Sequence, residues 1–428
     1  MREDDSGRRA GLGPRDSWST ERGFDPASRL AARERRGRRR DLAPVDRVDA
    51  RARLAPDPRG TPPEFRDGEH LVFAANDYLG LSGDERVQAA AAEAASDVGT
   101  GAGASRLVTG DTPVHRALER DVADSKGTER ALVFSSGYAT NVGTIAALDP
   151  DLIFSDELNH ASIVDGCRQA DGEVVVYDHC DPDGLAAMMD ARAGELGDHG
   201  DPGVGIDAPS WLVVTDTVFS MDGDVAPLRR LCDVVERFGA WLMVDEAHAT
   251  GLYDDGGGIV QREGLGDRVH VQMGTLSKAL ASQGGYVAGS EALVEYLCNA
   301  ARTFVFSTGL APPAAGAARE ALRVAREEDR QAVLWENVER LRDGLSNAGF
   351  EVRGETQILP VVVGDDADAM ALDAELRERG ILAPGIRPPT VPERTSRVRV
   401  APTASHTESE IDRCVAAFRD AGTELDLL

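Results

Sequence analysis

Six short apolar-rich runs recur between residues 131 and 273, each bounded by polar or turn-forming residues. They occupy residues 131–134, 152–154, 174–177, 211–214, 241–244 and 269–273. Runs this short, with little polar alternation, predict strands buried on both faces, as in a parallel sheet covered by helices. The segment between two of the runs supports this. Pro227 is expected at the first helical position, Leu228, Leu231, Cys232, Val235 and Phe238 follow at helical spacing, and Gly239 supplies a stop. Strand–helix alternation implies right-handed crossovers and an α/β fold class with a large, mostly parallel sheet.

At 428 residues the chain has room for two or three domains. Residues 1–70 read as a partly disordered N-terminal arm and linker, rich in Arg, Gly, Asp and Ser, with a helix over 31–40 and a Pro/Gly segment over 55–70. Residues 71–310 are expected to hold the large sheet domain, with a loop insertion at 184–210. Residues 311–428 read as a smaller C-terminal α+β domain. It would comprise a long helical stretch over 311–349, a strand at 359–363, a helix at 367–379, a strand at 397–401 and a last helix from about residue 408.

Charge narrows the partners. There are 74 acidic against 47 basic residues, a net −27 at pH 7. The first 40 residues hold 12 Arg and seven acidic residues, so residues 41–428 sum to −32. A body this negative argues against nucleic acid, which needs Lys and Arg against phosphate. It suits a protein kept soluble at high ionic strength, where repulsion is screened. No run of about 18 apolar residues predicts a membrane span, and the N-terminus lacks an apolar signal segment, so a cytoplasmic protein is expected. The five cysteines form no C-x-x-C pair and no zinc-spaced cluster, so no metal site is expected and the thiols read as reduced.

Polar residues follow the apolar runs repeatedly. Ser135-Ser136-Gly137-Tyr138 follows the first, Asp156 and His160 the second, Asp216 and Ser220 the fourth, Asp245-Glu246-Ala247-His248 the fifth and Thr275-Leu276-Ser277-Lys278 the sixth. One such cluster is ordinary turn chemistry. Five at the carboxyl edge of one sheet mark the place where α/β folds bind ligands. Only two lysines occur, Lys126 and Lys278. Lys278 is the candidate amine nucleophile, whereas Lys126, in Asp124-Ser125-Lys126-Gly127, reads as an exposed turn residue. Asp245 ends an apolar strand and needs a cationic partner, and the pyridinium nitrogen of pyridoxal 5'-phosphate is one. His248 would reach a ring hydroxyl and His160 would stack on a flat ring. The Ser136-Gly137 turn opens a helix whose N–H groups suit a phosphate, with Thr275 adding a hydroxyl. Gly99-Thr100-Gly101-Ala102-Gly103-Ala104 lacks the spacing of a dinucleotide loop.

Longer motifs carry a resemblance. They are Asn76-Asp77-Tyr78-Leu79-Gly80-Leu81, Ser105-Arg106-Leu107-Val108-Thr109-Gly110, Asn159-His160-Ala161-Ser162, Val218-Phe219-Ser220-Met221-Asp222-Gly223-Asp224, and the Asp245 and Lys278 segments above. From about residue 71 onward the chain resembles the α-oxoamine synthases, pyridoxal-phosphate transferases of the aspartate-aminotransferase fold (fold type I). The resemblance implies that Lys278 bonds the cofactor, Asp245 meets its ring nitrogen and His160 stacks on the ring. It places His248 and Ser220 near the ring hydroxyl, and Gly137, Tyr138 and Thr275 at the phosphate. Ser307 and Thr308 would reach a neighbouring subunit's phosphate, in a homodimer with shared sites.

Substrates follow from the same resemblance. The segment Ile386-Arg387-Pro388-Pro389-Thr390-Val391-Pro392 is similar to the biotin-pathway branch, which condenses L-alanine with a pimeloyl thioester on coenzyme A or acyl carrier protein. The alternative is condensation of glycine with acetyl-CoA. Asn76, Thr390 and Arg399 would lie near substrate, Arg399 binding the amino-acid carboxylate. Arg38 is the expected N-terminal substrate contact, with Arg36, Arg39 and Arg40 competing. Arg394 departs from the family, which commonly has Gly there. A non-catalytic subunit with the same fold would be expected to lose Lys278, which this chain keeps.

Overall fold

The six apolar runs all become strands of one seven-stranded sheet. The computed structural model describes residues 26–35, 42–55, 65, 68–195 and 209–428. The expected Arg38 contact, most of the 55–70 linker and the second half of the 184–210 loop lie outside these residues. In spatial order the strands are Arg130–Phe134, Gly285–Gly289, Val271–Thr275, Trp241–Asp245, Trp211–Asp216, Leu152–Asp156 and Glu173–Tyr177. Gly285–Gly289 runs antiparallel to both neighbours. The other pairs are parallel.

Both faces are covered, as the continuous apolar runs require. Leu132, Ile153, Leu212, Met243 and Val287 pack with Ile145, Ile163 and Leu297 on one face. Phe154, Val213, Leu242 and Val244 pack with Leu185, Met189, Leu228 and Val235 on the other. Each such fully buried side chain contributes about 1.5–3 kcal/mol. The Leu228–Phe238 helix begins one residue later than expected, with Pro227 as its N-cap, and it ends at Gly239 in the left-handed region (φ 61°). The Gly137–Leu148 helix is capped by Ser136, whose Oγ accepts from Ala139 N at 3.1 Å. A Cβ on Gly285 would lie 2.5 Å from Thr140 Oγ1 and 2.7 Å from Gly137 Cα. Glycine there is what lets the start of this helix approach the sheet.

Several expectations are corrected. Residues 184–195, expected as part of a loop, belong to the helix Pro182–Glu195, with Asp181 Oδ1 accepting from Asp183 N and Gly184 N, and Leu185 and Met189 buried. The stretch 311–349 is two helices, Pro312–Glu327 and Arg330–Asn347. The chain turns extended at Glu328. Arg330 there donates to Asp84 Oδ2 at 2.5 Å and to Leu79 O at 3.2 Å. The expected strand at 269–273 runs two residues later, as Val271–Thr275, so Thr275 is the strand's last residue. The N-terminal helix is Pro26–Arg35.

The C-terminal strands form an antiparallel sheet in the order Glu351–Val352, Leu359–Gly364, Ser396–Val400, Gly385–Ile386. The helices Asp366–Glu378 and Glu408–Glu424 accompany it. A third sheet, Arg51–Ala52, His70–Val72 and Ile381–Leu382, was not expected. Of the described residues, 47–53, 68–195 and 209–428 make one compact unit. Among the described residues no helix is long and apolar enough to cross a membrane.

Candidate active site

The sheet order brings the carboxyl ends of neighbouring strands side by side. Asp216 and Asp245 are direct partners across their parallel pair, and Asp245 is opposite Met273 in the next strand. Lys278 follows that strand by three residues and its amine lies 2.8 Å from His248 Nε2. Burial pushes the Lys278 ammonium down to about 8. The Asp245 charge opposes this, and Arg399 adds to it. His248 is buried, and that burial, with the charges of Lys278 and Arg399, drives its pKa well below the ordinary value. The imidazole is therefore neutral at pH 7.

From His248 a chain of polar groups runs to the small sheet. Tyr78 Oη lies 2.7 Å from His248 Nδ1 and 3.0 Å from Asn76 Oδ1. Arg399 donates from Nη2 to that same Asn76 oxygen at 3.0 Å and from Nε to Ser220 O at 2.6 Å. Ser220 thus enters the network through its carbonyl rather than its hydroxyl.

A second chain serves Asp245. Asn141 Nδ2 donates to Asp245 Oδ2 at 2.7 Å and to Ser162 Oγ at 2.9 Å. Ala247 N donates to Asp245 Oδ1 at 2.8 Å. Ser162 Oγ lies 2.7 Å from His160 Nδ1. The backbone N–H of Ser162 donates to Nδ1 at 3.3 Å, so Nδ1 is the acceptor, the Ser162 hydroxyl gives its proton there too, and the ring proton of His160 sits on Nε2. The ring is exposed at its surface yet embedded enough that burial lowers its pKa, the Asp245 charge opposing and Lys278 assisting. Its backbone N–H donates to Asp216 Oδ2 at 2.8 Å. Burial and the neighbouring Asp245 raise the Asp216 pKa well above the carboxylate range.

Gly137 and Thr275 meet at the helix N-terminus. A Cβ on Gly137 would lie 3.3 Å from Thr275 Oγ1. The N–H groups of Gly137 and Tyr138 are in the first turn and have no intrahelical acceptor. The Tyr138 phenol is half-exposed and donates to Asp165 Oδ2 at 2.7 Å, so this residue offers its backbone to the site. These groups fit pyridoxal phosphate. One amine of depressed pKa, one buried carboxylate with lone pairs to spare, a neutral imidazole and a helix N-terminus converge, and the buried Asn141 Oδ1 beside them has no protein partner.

Other expected residues lie apart. Ser307 and Thr308 line a shallow pocket with Arg106 and Phe304. Thr390 is exposed, in the loop after Gly385–Ile386. Arg394, in the same loop, has φ 63°, a conformation that glycine adopts freely, so the departure expected from the resemblance falls at a left-handed position. Lys126 is not exposed. It is 2% accessible and pairs with Glu246 Oε2 at 2.7 Å. Tyr78, Asn141, Ser162 and Gln357 join the site without a role that the sequence alone assigns them. The motifs around Tyr78 and Ser162 were the available signal.

The aminotransferase class I and II family matches residues 69–418. The 8-amino-7-oxononanoate synthase of Anaeromyxobacter dehalogenans strain 2CP-1 is 48% identical over 395 residues, spanning 91% of this chain and 93% of the relative. That of Lysinibacillus sphaericus is 42% identical over 363 residues, spanning 84% and 90%. Among solved structures, serine palmitoyltransferase from Sphingomonas wittichii superposes with TM-score 0.82 at 29% identity, covering 94% of this chain and 97% of that one. On the site geometry and these matches together, the chain belongs to the aminotransferase class I and II family, as an α-oxoamine synthase of fold type I.

Proposed function

We propose that the protein condenses L-alanine with a pimeloyl thioester, on coenzyme A or acyl carrier protein, releasing carbon dioxide, free thiol and 8-amino-7-oxononanoate. The observation that carries this reading is the Lys278 amine. Burial lowers it to about 8 against the charge of Asp245, with Arg399 assisting, and it touches His248. Pyridoxal phosphate, when bound, supplies an electron sink for the α-carbon of the amino acid.

The residues divide the work. Lys278 would hold the cofactor and, when free, take the α-proton of alanine as general base; a pKa near 8 suits a base at neutral pH. Asp245, steadied by Asn141 and Ala247, would hold the ring nitrogen in its protonated form. Gly137 N–H, Tyr138 N–H and Thr275 Oγ would hold the phosphate. His248 and Ser220 would stand at the ring hydroxyl. His160 would stack on the ring, and its Nε2–H would donate to the keto-acid carboxylate before carbon dioxide leaves. Arg399 and Asn76 would bind the alanine carboxylate. Thr390 would lie near the substrate. Ser307 and Thr308 would complete the phosphate site of a second subunit in a homodimer.

The test is an absorbance spectrum of the reconstituted protein in high salt, with free thiol followed. A band near roughly 420 nm that changes with L-alanine, then thiol release from pimeloyl-CoA, is the expected result. A response to glycine and acetyl-CoA instead would move the substrate. No band after reconstitution would refute the reading.

A further inference from the structure

Lys278, His248, Tyr78, Asn76 and Arg399 form one unbroken hydrogen-bond chain, and its far end fixes its direction. Arg399 has only donors, so the Asn76 atom it meets at 3.0 Å is the amide oxygen. Tyr78 Oη reaches the same oxygen at 3.0 Å, and an amide oxygen only accepts, so the phenol proton points there. The 2.7 Å contact between Tyr78 Oη and His248 Nδ1 then needs the imidazole to donate. Neutral imidazole carries one ring proton, which leaves Nε2 with a lone pair facing Lys278 Nζ at 2.8 Å. Gln357 Nε2 holds the carbonyl of His248 at 2.7 Å, and Tyr78 is fully buried, so the chain has little freedom to rearrange.

We propose that Tyr78 is a positioning residue. It locks His248 in the Nδ1–H tautomer, keeps Nε2 an acceptor for the Lys278 amine, and so links the Arg399–Asn76 site to the lysine. This rests on the reading of Lys278 as the cofactor lysine. The ionisable groups that bear on Lys278 are Asp216 and Asp245 at two strand ends, His160 before the Ala161–Cys167 helix, His248 and Arg399. Tyr78→Phe changes none of them. It opens the Nε2–H tautomer, in which a ring N–H faces the amine and disfavours the ammonium. Asn76→Ala keeps the phenol but removes its acceptor. The phenol proton then turns to His248 Nδ1 and imposes the same tautomer.

The full-length protein, stripped of cofactor, is trace-labelled with acetic anhydride across pH, and acetylation of Lys278 is read by mass spectrometry. Lys126, in its buried ion pair, reports the integrity of the fold. In both variants the Lys278 labelling midpoint is expected to fall by about one pH unit, the effect of roughly one lost hydrogen bond to a charged group, with Lys126 still protected. An unchanged or raised midpoint in either folded variant overturns the proposal. If Tyr78→Phe fails to fold, Asn76→Ala decides. Wild-type protein reconstituted with pyridoxal phosphate is run alongside. No cofactor band there would refute Lys278 as the cofactor lysine, whereas a normal band with unmoved midpoints refutes the relay alone.

Discussion

Replacing Lys126 with methionine is expected to be among the most destabilising changes available in the chain. Its side chain is 1% exposed and that of Glu246 is 0% exposed, with Nζ and Oε2 at 2.7 Å. Burial pushes the ammonium pKa down, but Glu246 more than offsets this and holds it above the ordinary value. In Lys126→Met, Glu246 keeps one bond, Val260 N to Oε1 at 2.9 Å, and its other oxygen faces an apolar side chain. It cannot swing away. The position of a Cβ on Gly258 would be 2.4 Å from Oε1, so backbone already walls that side. Leaving one charge of a buried pair uncompensated costs about 3–5 kcal/mol. Urea unfolding at fixed protein concentration, followed by tryptophan fluorescence, would be run on Lys126→Met, Glu246→Gln and the double variant. Each single change should cost about 3–5 kcal/mol, and the double should cost at least about 2 kcal/mol less than their sum. Additive losses, or a single-variant cost under about 1 kcal/mol, would show that the pair is solvated and the argument wrong.

Three further outcomes are expected. Borohydride treatment of the reconstituted protein should fix the cofactor mass on the Lys278 peptide and never on Lys126; Lys278→Arg should abolish the adduct and lower kcat by about 10²–10⁴-fold, and an adduct elsewhere would refute the assignment. Gly223 has φ +67°, and a Cβ there would lie 2.2 Å from Ile358 O, so Gly223→Ala should cost about 2 kcal/mol or more and lower the melting temperature by several degrees. His179 is clamped by Asp156 at 3.0 Å and Asp224 at 2.6 Å, and despite its burial these carboxylates raise its pKa from 6.5 to about 12. A raised folded pKa stabilises fully below the unfolded value and less as pH climbs towards the folded one. The stability lost in His179→Gln should therefore be largest near about pH 6 and shrink by about pH 9; a loss independent of pH, in paired melting curves, would rule out the charged clamp.

What the sequence made legible, and what it hid, follows from the range of the interactions. Asp156, Asp216, Asp245, Thr275 and Lys278 are readable because each sits at or just beyond the end of an apolar run, and strand ends are local facts. Lys126 is not readable. Its local context, Asp124-Ser125-Lys126-Gly127, has the composition of a solvated turn, and Gly127 does end the helix in the left-handed region. The partner that buries it, Glu246, is 120 residues away. The Pro182–Glu195 helix was missed because glycine and alanine blur its apolar stripe, leaving Leu185 and Met189 as its buried marks. The three-stranded sheet has strands of two or three residues, too short for any period to show. The relay through Tyr78 was hidden for the same reason as Lys126. Asn76 and Tyr78 are 323 and 170 residues from the groups they meet.

The placement of two acids side by side explains why the site needs the rest of its apparatus. Asp216 and Asp245 are register partners on adjacent parallel strands, and both are buried. Two carboxylates so placed cannot both be ionised cheaply. The protein separates them by surroundings. Asp245 meets N–H donors on both oxygens, from Asn141 and Ala247. Asp216, desolvated beside it, has its pKa raised well above the carboxylate range, which favours its protonated form. As a neutral acid it still accepts the backbone N–H of His160, so it fixes the start of the helix that carries that ring without adding a second negative charge. One buried carboxylate, rather than two, then faces the cofactor nitrogen. Asp216→Asn keeps the neutral side chain and its acceptor for His160, so it should leave the cofactor spectrum near wild type. Asp245→Asn removes the charge that holds the ring nitrogen protonated, and should not.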